Sequence, residues 1–369
     1  MRFALTEEQH ELRKAVRSLV DRRARTVGLR AASWSPHGYD THLWSRLCEE
    51  IGVAALAIPE EYGGAGFTSF ETHLVAEELG RSLTPSPLLG SAVIAGQAVL
   101  LAGNPVAARR LLPGLADGSA TAAVAWDGAK GRPSIDTCGI TATRTGSWRL
   151  TGSATLVLGH EPQVLLAIAR TGASMTLFEV NHADGVTWTP TPALDPTLRF
   201  ASVRFDRAEA EPLARDAEHL VAGLWQRAVT AVTALQVGGA QAALDRTVAH
   251  LKERHQFGRP LGSFQALRHR AADLLVAVES ARSVSWAAAW ATAHDTQDAP
   301  RRAATAKAWC SKAFTATTSE MIQLHGGIGI TWEHDAHLYF KRAHATAQLF
   351  GPPRSHRREL STTAGESAR

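Results

Sequence analysis

Residues 323–331 read Gln-Leu-His-Gly-Gly-Ile-Gly-Ile-Thr, with three glycines within four positions. Closely spaced glycines also occur in dinucleotide-binding loops, but those loops follow a β-strand, whereas this segment follows a helix-forming run. We therefore reject the dinucleotide fingerprint. Backbone without side chains still allows a phosphate-bearing ligand to approach closely. Gly326 and Gly327 are accordingly candidate ligand-binding residues.

A second candidate segment, Arg254-His255-Gln256-Phe257-Gly258, lies at the end of a long predicted helix. Gly258 is predicted to terminate that helix. Arg254 and Phe257 are three residues apart and project from one helix face. The pair either binds a diphosphate and packs against a flat ring, or caps the helix against its neighbour. The segment alone leaves both interpretations open.

The rest of the chain divides into three regions of different character. Residues 1–118 contain helical segments separated by turn clusters, and Thr6-Glu7-Glu8-Gln9 is a capping-box pattern at the first helix. Residues 119–213 contain short β-branched segments bounded by Gly, Pro or Asp, which predict six or more antiparallel strands. Because no helices separate these strands, a small barrel or sandwich is expected rather than a parallel sheet.

Helical periodicity returns in residues 214–360, where Ala-rich runs favour helix. Helices are predicted over about 217–255, 263–294, 300–324 and 333–348, which suggests a four-helix bundle. Residues 361–369 are expected to be a disordered tail. The predicted fold class is therefore α+β: an N-terminal helical domain, a middle antiparallel β-barrel or sandwich, and a C-terminal four-helix bundle.

Composition excludes several classes of protein. The chain has 39 basic and 35 acidic residues among 369, too slight and dispersed an excess for nucleic-acid binding. Three scattered cysteines and no third ligand near His334 and His337 give no metal site. The N-terminus lacks a signal-peptide pattern, and no stretch reaches the ~18 apolar residues of a membrane span. A cytoplasmic protein without membrane contact is expected.

The order of these segments carries more information than any one of them. Pro-Glu-Glu-Tyr-Gly-Gly-x-Gly at residues 59–66 precedes the β region, and Arg-x-x-Phe-Gly-x-Pro-Leu at 254–261 follows it, with Phe264-Gln265 close behind. Gln-x-His-Gly-Gly-x-Gly-x-Thr at 323–331 completes the set. Together they resemble the acyl-CoA dehydrogenase family across nearly the whole chain.

The resemblance implies a reaction, a cofactor and a set of binding residues. FAD takes a hydride from the β-carbon of an acyl-CoA thioester while a carboxylate removes the α-proton. The cofactor is bound across a subunit boundary, so one chain surrounds the flavin ring and its neighbour holds the adenosine diphosphate. The family motifs, matched residue by residue, imply which residues of this chain hold the adenosine diphosphate end of FAD. They are Arg254, Phe257, Gln265, Gln323, Gly326 and Gly327.

The residues for the flavin-ring half depart from the family pattern. Gly351 stands where the family commonly places its catalytic Glu, and Ala228 occupies the alternative position of that base. Leu156-Val157-Leu158-Gly159 replaces a Trp-Ile-Thr-Asn pattern that contacts the flavin, and residues 124–128 lack the preceding Thr-Glu-Pro loop. We therefore assign no catalytic residue to this chain.

Selective loss of one half-site indicates a heteromeric enzyme. A homologous sister subunit would supply the base and the flavin-ring contacts, most simply in an α2β2 assembly that acts on an acyl-CoA. Two alternatives remain: a homo-oligomeric flavoenzyme with an unusual base or changed chemistry, or an FAD-free scaffold. For the first alternative, Asp127, His160 and Glu161 are conceivable polar groups near the flavin.

Overall fold

The computed structural model of the protein describes residues 4–24, 26–126, 131–159, 161–181 and 184–366. Helices form both ends of the chain and a β domain lies between them. The last N-terminal helix ends at Ala116 and the first strand begins at Ala122. The last strand of the β domain ends at Ala214, and helix resumes at Glu218. The α+β class and the order of its three parts are as predicted.

Side-chain caps begin several of the N-terminal helices. The helices are α1 (Glu7–Ala24), α2 (Leu29–Ser33), α3 (Thr41–Arg46), α4 (Ser69–Arg81), α5 (Gly96–Leu101) and α6 (Pro105–Ala116), with π-helical turns at Leu47–Ile51 and Leu88–Ala95 and a 3₁₀ turn at Glu60–Tyr62. The Thr68 hydroxyl accepts a hydrogen bond from the Phe70 amide, and the Glu71 carboxylate accepts one from the Thr68 amide. The predicted capping box between Thr6 and Gln9 is also present. These bonds satisfy amides that have no partner within the helix.

The β domain is a closed ring of strands. Its strands are β1 (Ala122–Ala125), β2 (Ile140–Thr145), β3 (Ser147–Leu158), β4 (Val164–Thr171), β5 (Ser174–Val180), β6 (Val186–Thr191) and β7 (Phe200–Ala214). Pairing runs β4–β2–β3–β7–β5, and β5 returns to β4, which closes the ring. β6 adds to β7 and β1 adds to β4.

The expectation of purely antiparallel strands is wrong for two pairings, both of which involve β4. β1 pairs with β4 in parallel register, Ala122 opposite Val164, and β2 meets β4 in parallel at Thr141 and Arg170. A parallel neighbour requires a long connection, and the chain between β1 and β4 provides one because it contains β2 and β3. The remaining pairings are antiparallel.

The described part of the C-terminal region contains five helices rather than four. They are α7 (Glu218–Glu253), α8 (Gln265–Ala293), α9 (Ala299–His325), α10 (Ala336–Gln348) and α11 (Pro353–Glu366). Helix α11 extends to Glu366, into the segment 361–369 for which a disordered tail is expected, and residues 367–369 lie outside the described residues. Pro353 suits a first helical turn, and the buried His356 ring, which is hydrogen-bonded to the Phe350 carbonyl, anchors α11.

Helices α4 and α7 cross with their backbones in contact. A Cβ atom on Gly238 would overlap the carbonyl oxygen of Glu77, and one on Gly80 would overlap the backbone of Leu235. The next residue of α7, Gly239, gives the same room to the ring of Phe314 on α9. Glycine is therefore required at this crossing by space, since neither Gly80 nor Gly238 has a positive φ.

An ionic cluster surrounds this crossing. The buried carboxylates of Glu77 and Glu78 on α4 are paired with Arg13 and Arg17 of α1 and with Arg282 of α8. Removing one partner from such a cluster leaves an uncompensated buried charge, which is strongly destabilising. The cluster therefore sets the positions of α1 and α8 relative to α4.

A second buried ion pair joins all three parts of the fold. The Arg342 guanidinium of α10 donates to the Asp195 carboxylate at 2.5 Å and to the Thr197 carbonyl at 3.1 Å, both between β6 and β7. It also donates to the carbonyl of Leu83, just beyond α4, at 3.4 Å. Arg342 and Asp195 are almost completely buried. One side chain thus ties the C-terminal helices, the β domain and the N-terminal helices together.

We predict that Gly238→Ala destabilises the protein, because the added methyl group forces α4 and α7 apart. The free energy of unfolding should fall by about 1–3 kcal/mol, the scale of core overpacking. Gly96→Ala is the matched control, since Gly96 has helical φ and a Cβ added there meets its nearest atom at 3.6 Å, an ordinary contact distance. Chemical denaturation should show the control unchanged or more stable. Equal stability of the two variants would contradict the crossing argument.

Candidate functional site

The segment after α7 is a β-hairpin, not a simple helix cap. Arg254 is the C-cap residue, and His255–Gln256 then pairs with Arg259–Pro260. The two residues between these short strands, Phe257 and Gly258, both have positive φ, at 53° and 77°. Positive φ at both central positions defines a type I′ turn. Gly258 is therefore a turn residue, and the prediction that it terminates the helix is wrong.

The ring of Phe257 projects from this turn into solvent. It is 88% exposed, the highest value among the large apolar side chains of the described residues. Its one ring contact within the described part of the chain is an edge-to-face approach to Phe264 at 6.1 Å, and Arg259 covers the same Phe264 ring at 4.0 Å. A non-glycine residue with positive φ and an exposed aromatic ring is costly unless something covers it. Phe257 is thus presented outward.

The glycine-rich segment forms an open turn at the end of α9. Gly326 has φ 63° and ψ −141°, a backbone conformation that strongly favours glycine, and it begins a 3₁₀ turn over Gly326–Ile330. A Cβ atom added at Gly326 or Gly327 would meet no described atom within 4 Å. The backbone of this turn is therefore open to an approaching ligand. The Gln323 side chain, on the preceding turn of α9, is exposed.

A histidine stack joins the two segments. His250, one turn before Arg254, stacks on His325, one residue before Gly326, with ring centroids 4.3 Å apart. The His334 ring also lies against His325, with centroids 4.5 Å apart. Burial is the main cause that lowers the pKa of each of the three rings below its usual value, so they are neutral at neutral pH. Neutral rings can stack without mutual repulsion.

The surface formed by the hairpin and the glycine-rich turn carries the cationic side chain of Arg254, which can contact a ligand. The Arg254 side chain is exposed, and its guanidinium has no hydrogen-bond or ion-pair partner among the described residues. Gln265, the first residue of α8, is exposed and lies 3.4 Å from the His269 ring. The structure therefore places the Arg254 and Gly326 segments beside one another, with Gln265 just beyond the hairpin.

Sequence reasoning missed the residues that join and border these segments. The sequence does not single out His250 and suggests His334 only as a possible metal ligand, because the stack that joins them to His325 exists only in three dimensions. The sequence also does not single out Ile328 and Ile330 on the Gly326–Ile330 turn, or Trp332 just beyond it, all of which are exposed. Their one signal in the sequence is an apolar residue at alternate positions of a glycine-rich turn.

The opposite half of the expected site is closed by aromatic side chains. Phe350 is packed against Trp126 and Trp225, with ring centroids 6.5 Å and 6.0 Å away. Trp225 stacks on His356 with an interplanar angle of 10°. All four rings are buried, and Leu156 and Leu158 pack against the same hydrophobic core. The chain's own side chains therefore fill the space between these rings.

The two positions considered for a catalytic base are also unsuited to a carboxylate. Ala228 is completely buried in the hydrophobic core. Gly351 has φ 88°, and a Cβ atom added there would lie 3.0 Å from the Ser355 hydroxyl and 3.2 Å from the His356 ring. The carbonyl of Gly351 accepts a hydrogen bond from the buried Lys307 ammonium at 3.2 Å. The turn at residue 351 therefore requires glycine.

Among the polar groups considered as replacements, Asp127 and His160 lie outside the described residues. Glu161 is exposed and borders a cavity of about 100 Å³ between the β domain and the N-terminal helices, near Ser91 and Arg199. It is not part of the aromatic cluster around Phe350.

Two other kinds of site have no counterpart in residues 4–366, apart from the gaps given above. No group of three or more His, Cys, Asp or Glu side chains could hold a metal ion. No described helix is long and apolar enough to cross a membrane.

Comparison with known proteins identifies the family. The acyl-CoA dehydrogenase N-terminal domain matches residues 6–119, and the acyl-CoA dehydrogenase C-terminal domain matches residues 224–363. The chain belongs to the acyl-CoA dehydrogenase family. Acyl-CoA dehydrogenase IpdE2 of Mycobacterium tuberculosis is 41% identical over 361 residues, which cover 98% of each chain.

Solved structures agree with this assignment. A variant of the Tcur3481–Tcur3483 steroid acyl-CoA dehydrogenase has a TM-score of 0.88 and 32% identity, covering 98% of this chain and 99% of that one. The ChsE4–ChsE5 complex of M. tuberculosis has a TM-score of 0.88 and 28% identity, covering 99% of each chain. This acyl-CoA dehydrogenase family chain thus shares its fold with both over its whole length.

We predict that Gly351→Glu does not create a functional base and instead destabilises this chain. Positive φ costs a non-glycine residue about 1–3 kcal/mol, and crowding by Ser355 and His356 adds to that loss. Gly172→Glu is the control, because Gly172 has φ 66° but open space where a Cβ atom would lie. Denaturation should show a larger loss of unfolding free energy for the variant at residue 351. A gain of acyl-CoA oxidation by Gly351→Glu would refute the prediction.

Proposed function

We propose that this chain is the non-catalytic subunit of a heteromeric, FAD-dependent acyl-CoA dehydrogenase. A homologous sister chain carries the catalytic Glu and the flavin-ring contacts. This chain supplies the surface that holds the diphosphate end of the cofactor bound by the sister. Two copies of each chain form an α2β2 assembly that introduces a double bond between the α- and β-carbons of an acyl-CoA thioester.

The observation that carries the proposal is the contrast between the two half-sites. On the surface around Arg254 and Gly326 the backbone is open, the guanidinium is unpaired among the described residues, and Phe257 is exposed. Around Phe350 and Gly351 the space is filled by buried aromatic rings. General loss of function would degrade both halves. Loss of one and retention of the other fits a chain whose ligand is shared with a different partner.

Each residue of the open half has a role that suits its chemistry. A guanidinium presents fixed donors to phosphate oxygens, which suits Arg254 to the diphosphate. Gln323 donates through its amide, and the backbone amides after Gly326 donate where no side chain obstructs. Phe257 offers a flat apolar ring to the adenine region. FAD, when bound, accepts the hydride from the substrate; this chain binds and orients the cofactor without touching the reacting carbons.

The relatives support a lipid or steroid thioester as the substrate. One solved neighbour is named as a steroid acyl-CoA dehydrogenase, and two of the similar structures combine two different components by name. No observation on this chain favours the two alternatives, a self-sufficient flavoenzyme or an FAD-free scaffold. Both are distinguishable from the proposal by cofactor content.

The first test of the proposal is cofactor stoichiometry. The chain purified alone should be colourless, and its complex with the sister should contain one FAD per heterodimer. Absorbance of released flavin relative to protein, with the mass of the complex from light scattering, gives the ratio. A yellow homo-oligomer with one FAD per chain would show that the chain is self-sufficient. A colourless complex would support the scaffold.

The second test concerns Arg254. Arg254→Ala should weaken FAD retention in the complex by about 1.5–3 kcal/mol, the scale of a lost charge-assisted hydrogen bond. Lys252→Ala, which removes a positive charge two residues earlier, is the control and should retain FAD. Titration of the apo-complex with FAD measures both affinities, and thermal denaturation checks that both variants fold. Equal affinities would mean that Arg254 serves only to cap α7.

A further inference from the structure

A small cavity lies where four helical elements meet. It is bounded by α4, the π-helical turn Leu88–Ala95 with the start of α5, α7 and α8, and its volume is about 30 Å³. Apolar groups make up most of its lining, and several polar side chains also border it. The polar lining side chains are Ser69, Thr72, His73, Gln97, Arg227, Thr230 and Thr292.

Most of these polar groups already have partners. The Arg227 guanidinium donates to the Gln97 side-chain oxygen and to the Asp295 carboxylate, at 3.2 Å and 3.0 Å. The Thr230 and Thr292 hydroxyls are hydrogen-bonded to each other at 3.2 Å. Two atoms stand apart: the Thr72 hydroxyl oxygen and the His73 Nδ1 are buried and have no hydrogen-bond partner among the described residues.

The protonation of His73 follows from a chain of hydrogen bonds. The Thr233 hydroxyl donates its only proton to the Thr230 carbonyl at 2.6 Å. The Ser285 hydroxyl, 2.7 Å from Thr233, must therefore donate to it. Consequently Ser285 accepts from His73 Nε2, which is 2.9 Å away. The proton of the imidazole thus resides on Nε2, and Nδ1 carries a lone pair.

Burial keeps this ring neutral, because it lowers the pKa of His73 to about 3. His73 is 3% exposed and Thr72 is 6% exposed. Neither Nδ1 nor the Thr72 hydroxyl can therefore be satisfied by bulk water. An unsatisfied buried polar atom costs about 1–3 kcal/mol, and two such atoms beside one cavity call for a common partner.

We propose that this cavity binds one water molecule, which donates a proton to His73 Nδ1 and exchanges a second hydrogen bond with the Thr72 hydroxyl. The volume accommodates a single water, and a buried water is stable when it has about two to four polar partners. A cation is disfavoured because the Arg227 guanidinium lines the same space. The water extends the hydrogen-bonded chain from α4 through Ser285 of α8 to the backbone of α7.

A crystal structure of the full chain, alone or with its sister, tests the site directly. We expect a solvent peak about 2.7–3.2 Å from both the Thr72 hydroxyl and His73 Nδ1. Well-ordered side chains around an empty cavity would overturn the proposal.

Thr72→Val provides an independent test, because it keeps the shape of the side chain and removes only the hydroxyl. If water is bound, the variant breaks a hydrogen bond and the Tm falls by on the order of 2 °C. If the cavity is dry, the variant removes an unsatisfied hydroxyl and the Tm rises. Thr72→Ser, which retains the hydroxyl, should keep the solvent peak. A rise in Tm for Thr72→Val would overturn the proposal.

Discussion

The contact between the backbones of α4 and α7 is the constraint on which the packing of the helices depends. Glycines at residues 80 and 238 let the two helices touch, and nine consecutive residues of α4, Thr72–Gly80, are buried as a result. A helix buried on all sides must satisfy the polar groups that it carries. The paired Glu77 and Glu78 carboxylates, and the hydrogen bond from His73 to Ser285, largely do so.

The contacts of α7 with α4 and α9 involve the middle of the helix, and its two ends contact other parts of the protein. Its middle is held by α4 and by Phe314 of α9, so that its two ends lie in different surroundings. Trp225, near the start, enters the aromatic cluster. His250, near the end, reaches the histidine stack. The two half-sites are therefore at opposite ends of one long helix.

Under the proposed function, this separation lets the flavin-ring half change while the half around Arg254 is retained. The cluster around Phe350 is hydrophobic core, so filling it with aromatic rings contributes burial and stabilises the chain. The hairpin and the glycine turn contribute little to the core and instead place strained or exposed residues on the surface, Phe257 above all. Retaining such features has a stability cost, which is consistent with a ligand-binding role for that end.

The sequence by itself determined the parts of this protein that depend on local chemistry. The order of helical and β regions, the capping box at Thr6 and the candidacy of Arg254 and Gly326 as ligand-binding residues followed from residues close together in the chain. The sequence also shows directly that residues 228 and 351 carry no carboxylate. Only the tertiary structure decided the parallel pairing of β1 with β4, the aromatic filling around Phe350 and the cavity beside His73. Each of these features depends on contacts between segments that are distant in the chain. Local sequence preferences do not specify such contacts, so they cannot predict which side chain fills a given space.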